Sequence, residues 1–215
     1  MEIKIEKKQI ILGCIIATVI IAVLCGYISI RNSTYSKRLK ECQISVHQIF
    51  YMSSLLSSEI HSTWSEYIFD DKEYIDRNTG KFYSYRYDMP DSADIEHCRD
   101  FSEAIAEKSQ YYRNKGVHQT LDSLYRTTKA LLQKMTPSPQ KYASIHKDIG
   151  ELFHTAEAMY YCAVSPEGNL RSYSMRINQL SADYTTQSSN IDIQIGEIDS
   201  NKKSNLEFNT LIKFL

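Results

Sequence analysis

Glycine and proline are scarce in this chain, with seven and four among 215 residues. Sandwiches and barrels draw their many tight turns from these two residue types, so the shortage points away from them and towards helices. A charge imbalance is also lacking: 25 basic against 26 acidic residues leave a formal net charge of -1. Without a basic footprint, nucleic acid is not expected as a partner. Cysteine is limited to five residues with no C-x-x-C pair. Cys14 and Cys25 fall in an apolar run, which leaves Cys42, Cys98 and Cys162, enough for at most one internal disulfide. The length leaves room for one soluble domain with a substantial core.

An apolar run is not lacking. Ile10 to Ile30, "IILGCIIATVIIAVLCGYISI", holds 21 uncharged and mostly apolar residues. As a helix it measures about 30 Å, the thickness of a bilayer's hydrocarbon core. A cleaved signal peptide would have a shorter apolar region and a small-x-small site to close it. A lipoprotein cysteine is also excluded, because only four apolar residues precede Cys14 and Cys25 follows the bulky Leu24. The expectation is a single-pass anchor over 10–30 behind a short tail, 1–9. Lys4, Lys7 and Lys8 on one side nearly balance Arg31, Lys37, Arg38 and Lys40 on the other. A tail this short stays in the cytoplasm in most anchors, so the C-terminal domain is expected outside the cytoplasm.

Beyond the run, Leu39, Cys42, Val46, Ile49, Ser53, Leu56, Ile60, Thr63 and Tyr67 recur in steps of three and four. That is a heptad seam on a helix leading directly out of the membrane. The period predicts helices over about 35–69, 92–135, 139–164 and 168–199, with a long loop at 70–91. Asp91 is the expected N-cap of the second helix, with Asp94 in its first turn and Ile95 starting its period. Asn114 and Gly116 leave open whether this is one kinked helix or two. Ser138 and Pro139 are expected to open the third helix, and Ser165 and Pro166 the fourth. The fold class is all-α: an N-terminal transmembrane helix, then an antiparallel four-helix bundle, five if the second helix divides. The bundle occupies 31–200, and the apolar tail 201–215 returns to its base. Asn78-Thr79-Gly80 inside the long loop could turn a short hairpin.

Catalytic and metal signatures are sparse. Glu151-Leu152-Phe153-His154 is a single Glu-x-x-His, where a di-iron bundle requires two. His146, eight residues upstream, could share a face with His154, but solvent-facing histidines explain the pair more simply, and His47, His61, His97 and His118 are scattered singly without metal-ligand spacing. No G-x-S-x-G elbow occurs, and "NTGK" lacks the first glycine and the Ser/Thr of a phosphate loop. Asp70 and Asp71 suit a helix terminus better than general acid-base work. No catalytic, cofactor-binding or metal residues are assigned, and the chain is read as not an enzyme. Sixteen tyrosines stand out, and Tyr74, Tyr83, Tyr85 and Tyr87 gather around the first connection as a candidate partner surface.

Trp64 near the end of the first helix, a polar turn, a proline-containing break before Tyr142 and the corner "SPEGNLRSYS" together resemble a group of small bacterial membrane-anchored helical proteins that often carry an Asn-Pro-Ser-Gly-Ser-Leu-like corner. Ser165 and Glu167 depart from that corner. The resemblance implies a bacterial, anchored helical fold and nothing catalytic. The expected function is a non-enzymatic interaction or scaffold module at the bacterial cell membrane, partnered by the lipid bilayer and by a protein or envelope component. The alternatives are a ligand-sensing bundle with a separate signalling partner and a cytoplasm-facing membrane adaptor.

Overall fold

The computed structural model describes residues 7–84 and 94–199, and side chains over most of 7–22 and at 25 and 197–199 lie outside that description. Helix α1 runs unbroken over Lys7–Phe69. A hairpin of β1 (Tyr74–Asp76) and β2 (Phe82–Tyr83) follows, then β3 (Ile95–His97). Helices α2 (Phe101–Asn114) and α3 (Val117–Lys134) come next, and a 3-10 turn at Gln140–Tyr142 leads into α4 (Ala143–Val164). Helix α5 spans Leu170–Asp199. Among the described residues the chain is mostly helical, with one small antiparallel sheet ordered β2-β1-β3.

The α1 seam faces the core as its spacing predicts: Leu39, Cys42, Val46, Ile49, Ser53, Leu56, Ile60 and Thr63 are all buried. Helix α4 buries Ile145, Ile149, Leu152, Phe153, Ala156, Met159 and Ala163. Side-chain pairs fix the directions of the helices. Tyr35 meets His146 while Tyr173 joins Ser57 to Cys162, so α4 runs parallel to α1. Trp64 lies near Phe101 and Glu59 bonds Tyr112, so α2 runs opposite to α1. Tyr184 meets His47 and Gln43 bonds Asp192, which makes α5 antiparallel as well. The order is up, down, up, down, with α1 touching every other helix.

The second helix does not begin near residue 92, because Ile95–His97 is a strand paired with Tyr74–Asp76. Helix α2 starts at Phe101 with Asp100 as its N-cap, whose carboxylate accepts the Glu103 amide at 2.9 Å. Asp91 lies outside the described residues. The long loop at 70–91 contains β1 and β2, the short hairpin that Asn78-Thr79-Gly80 was expected to turn. Of the two forms the sequence leaves open for the helical stretch, the structure has two helices, divided at Lys115–Gly116, where Gly116 takes φ 77°.

Ser138 and Pro139 do not open α4 directly. Pro139 is extended and precedes the 3-10 turn, and α4 begins at Ala143. At the last corner, Ser165 ends α4 instead of capping α5. Asn169 and Ser172 cap α5 reciprocally: the Ser172 amide donates to Asn169 Oδ1 at 2.9 Å and the Asn169 amide to Ser172 Oγ at 3.1 Å. This is a capping box with serine in the third position. Gly168 sits at φ 95°, where a β-carbon would stand 2.7 Å from Ser172 Oγ.

Asp71 adopts φ 50° just past α1, as a helix-ending residue does. Cys42, Cys98 and Cys162 are buried free thiols, so none of them forms a disulfide. Burial pushes Cys42 and Cys98 up to about 12 and raises Cys162 as well.

Candidate interaction surfaces

The sheet is stitched to the helices by polar contacts of its own. The Asp76 carboxylate is buried and accepts from the Asn78 amide at 2.8 Å and from Thr79 Oγ1 at 3.0 Å, which winds the turn. Gly80 closes it at φ 67°, with its backbone against the Tyr111 ring. Ile75, Phe82, Cys98 and Ala104 form a small second core, with Tyr67 packed on it. On the outer face, Tyr74 stands opposite Tyr83 on one side and His97 on the other. The Tyr74 and His97 rings are 4.8 Å apart, and Lys81 lies 5.1 Å over Tyr83.

Two of the four tyrosines expected at a partner surface are therefore neighbours in one aromatic row. Tyr85 and Tyr87 lie outside the described residues. His97 joins the row through register, which its isolated position in the sequence did not signal.

Beside the row, the hairpin turn, α1 and α2 enclose a cleft of about 310 Å³. Glu59, Ser62 and Glu66 line one wall, Thr79 to Phe82 another, and Lys108, Tyr111 and Tyr112 the third. Lys108, nearly buried, donates to the Gly80 carbonyl at 2.9 Å and lies 3.2 Å from Glu59. The Tyr112 hydroxyl donates to the same Glu59 carboxylate at 3.1 Å. Burial, with that carboxylate beside it, keeps Tyr112 protonated well above the usual phenol range. Of the charged residues lining the cleft, Glu59 and Lys108 pair with each other, Glu66 takes Lys72 from outside it, and Lys81 lies over Tyr83.

A third cluster joins α3 to α4. Tyr125 donates to Glu157, Lys129 donates to Tyr125 at 2.9 Å, and His154 lies 3.3 Å from Glu157. Burial pushes the Glu157 carboxyl up, but hydrogen bonds from Tyr125, His154 and Lys129 outweigh it and hold the group below its ordinary value. Tyr125 stacks on Tyr160, whose hydroxyl donates to Asp122 at 2.5 Å. The lone Glu-x-x-His motif is split here: His154 reaches Glu157, while Glu151 pairs with Lys147. Among the described residues no group of three or more His, Cys, Asp or Glu could hold a metal ion.

The first part of α1 stands apart from the bundle. From Ile20 to Thr34 no described side chain is buried, and Ile30 is 71% exposed. Among the described residues no helix is long and apolar enough to cross a membrane, and most side chains of 10–30 are not among them. No protein family, curated protein or solved structure matches this chain.

Proposed function

We propose that the chain is a single-pass membrane protein whose helical bundle acts as a non-enzymatic interaction or scaffold module at a bacterial cell envelope. The observation that carries the reading is the apolar start of α1. Ile20, Val23, Leu24, Tyr27, Ile28 and Ile30 are all exposed on a helix that continues without a break into the core. In water such a surface is costly, at roughly 25 cal/mol per Å² of apolar area, and a bilayer removes the cost. The aromatic row of Tyr74, Tyr83 and His97 supplies the contact face, since tyrosine gives large contact area with a polar tip. The expected orientation has the bundle outside the cytoplasm.

Fractionation of cells expressing the chain tests the anchor: it should stay in the membrane after alkaline carbonate, and release into the soluble fraction would sink the reading. For the contact face, Tyr74→Ala with Tyr83→Ala should abolish capture of partners by crosslinking while the melting temperature changes little. An unchanged crosslinking pattern would remove the row from the proposal.

The cleft favours a second reading, a ligand-sensing bundle working with a separate signalling partner. Its volume and mixed-charge lining suit a small zwitterion. A thermal-shift screen against amino acids and small polar metabolites decides it, because a bound ligand must raise stability by mass action.

A further inference from the structure

We propose that the base of the bundle is a contact for anionic phospholipid headgroups, formed by a basic collar of Arg31, Lys37, Arg38, Lys134 and Lys141 where α1 leaves the bilayer. The proposal rests on the anchor reading and adds a lipid preference to it. Two separate stretches supply the charge. Residues 31–40 carry four bases and no acid, and residues 123–147 carry five bases and no acid.

The fold brings the stretches together. The Tyr35 ring stacks on Tyr142 at 5.4 Å and its hydroxyl lies 2.7 Å from His146 Nδ1. The α3–α4 connection therefore sits level with residue 35, about 8 Å along the helix from Ile30. That is within one Debye length of the expected headgroup layer at physiological salt. Lys134 closes α3 and Lys141 lies in the 3-10 turn beside Tyr142, so both belong to this base.

All five collar residues are exposed, and none is ion-paired among the described residues. Among the described residues three nearby acids are engaged elsewhere: Asp192 accepts from Gln43, Asp148 from Gln194, and Glu151 takes Lys147. Glu41 is the one acid on α1 between residues 31 and 58. Five like charges with no ion pair among the described residues repel one another, and an anionic surface removes that repulsion. Arginine can grip a phosphodiester through two N–H groups while lysine acts as a point charge.

The test uses the full chain in lipid nanodiscs of phosphatidylcholine, with or without phosphatidylglycerol. Acylation rates at Lys37, Lys134 and Lys141 are read by mass spectrometry against Lys115, which lies higher on the bundle near the level of Glu59. In anionic discs the three collar lysines should react about fivefold more slowly, at roughly 1 kcal/mol per cation near the surface. High salt should reverse the protection, and Lys115 should not change. Arg31→Gln with Arg38→Gln should weaken the protection of Lys141, which lies on the other stretch. Equal rates in both discs overturn the collar, as does equal protection by inorganic phosphate added to phosphatidylcholine discs. A chain that never enters discs overturns the anchor itself, an outcome distinct from incorporation without lipid-dependent protection.

Discussion

The Tyr184 hydroxyl lies 2.6 Å from Nδ1 of His47, joining α5 to α1 across 137 residues of sequence. The Tyr184 ring also stacks on Phe50 at 3.6 Å, so the polar pair is sealed by apolar contact on the same helix. A second pair of the same kind, Tyr35 with His146, joins α1 to α4 nearer the base. Burial lowers the pKa of both histidines, and Asp192 opposes the shift at His47 only in part. Burial lowers His118 too, with Arg113 adding to the effect and Asp122 opposing it, and its Nε2 has no partner among the described residues.

These three histidines give the fold an acid limit. A base whose folded pKa lies below its unfolded value near 6.5 stabilises the fold fully above that value. The contribution is lost as the pH falls through the unfolded and then the folded pKa. The melting temperature should hold steady between about pH 7 and 8 and drop from about pH 6.5 downwards. The lowered carboxyls Glu103 and Glu157 act only in a more acidic window, below about pH 4.5. Replacing His47 and His146 with asparagine should flatten the first decline; a profile identical to the parent's would refute this account.

Two glycines should be costly to replace for reasons the structure separates. Gly80→Ala places a methyl 2.7 Å from the Tyr111 ring at a left-handed φ of 67°, so either the hairpin or α2 must shift. Gly168→Val meets Ser172 Oγ at 2.7 Å at φ 95° and disturbs the capping box of α5. Each should lower stability by about 1–3 kcal/mol in denaturant melts. Gly150→Ala is the control: it lies inside α4 with open space around its added methyl, and should raise stability by about 0.5–1 kcal/mol. If all three variants melted alike, the close contacts would not be the cause.

What the sequence reveals here depends on range. The α1 seam was legible because burial on a long helix imposes a period on neighbouring residues, and Asn78-Thr79-Gly80 was legible because its turn chemistry is local. Strand β3 was not, since Ile95–His97 is too short a run to show alternation and only its pairing with β1 makes it a strand. The start of α2 was misplaced although Asp100-Phe101-Ser102-Glu103 is a capping-box pattern in plain sight. The pairs Tyr184 with His47 and Tyr35 with His146, and the cleft, depend on contacts between distant helices, and no local pattern carries them.

Ser53 occupies the buried seam of α1, and its hydroxyl has no hydrogen-bond partner among the described residues. A desolvated hydroxyl without a partner costs about 1–3 kcal/mol, and alanine has the higher helix propensity. Ser53→Ala should therefore raise the midpoint of chemical unfolding, by about 1 kcal/mol in stability. Tyr173→Phe should do the opposite. Its hydroxyl donates to the Cys162 carbonyl at 3.1 Å inside the core, and removing it forfeits a satisfied bond. Opposite signs for the two substitutions would locate the polar cost on α1; a loss of stability in both would show that Ser53 is satisfied after all.

The thiols determine how membrane orientation can be measured. Cys42, Cys98 and Cys162 are buried, and with burial pushing the first two to about 12 almost no thiolate forms at neutral pH. A thiol reagent should leave all three untouched in the folded chain and modify all three after unfolding. Native cysteines on the bundle therefore cannot report which side of the membrane it faces. Gln179→Cys places a thiol on an exposed position of α5 far from the collar. In intact cells an impermeant maleimide should label this variant if the bundle lies outside the cytoplasm. Labelling only after permeabilisation would reverse the orientation and favour the cytoplasm-facing adaptor.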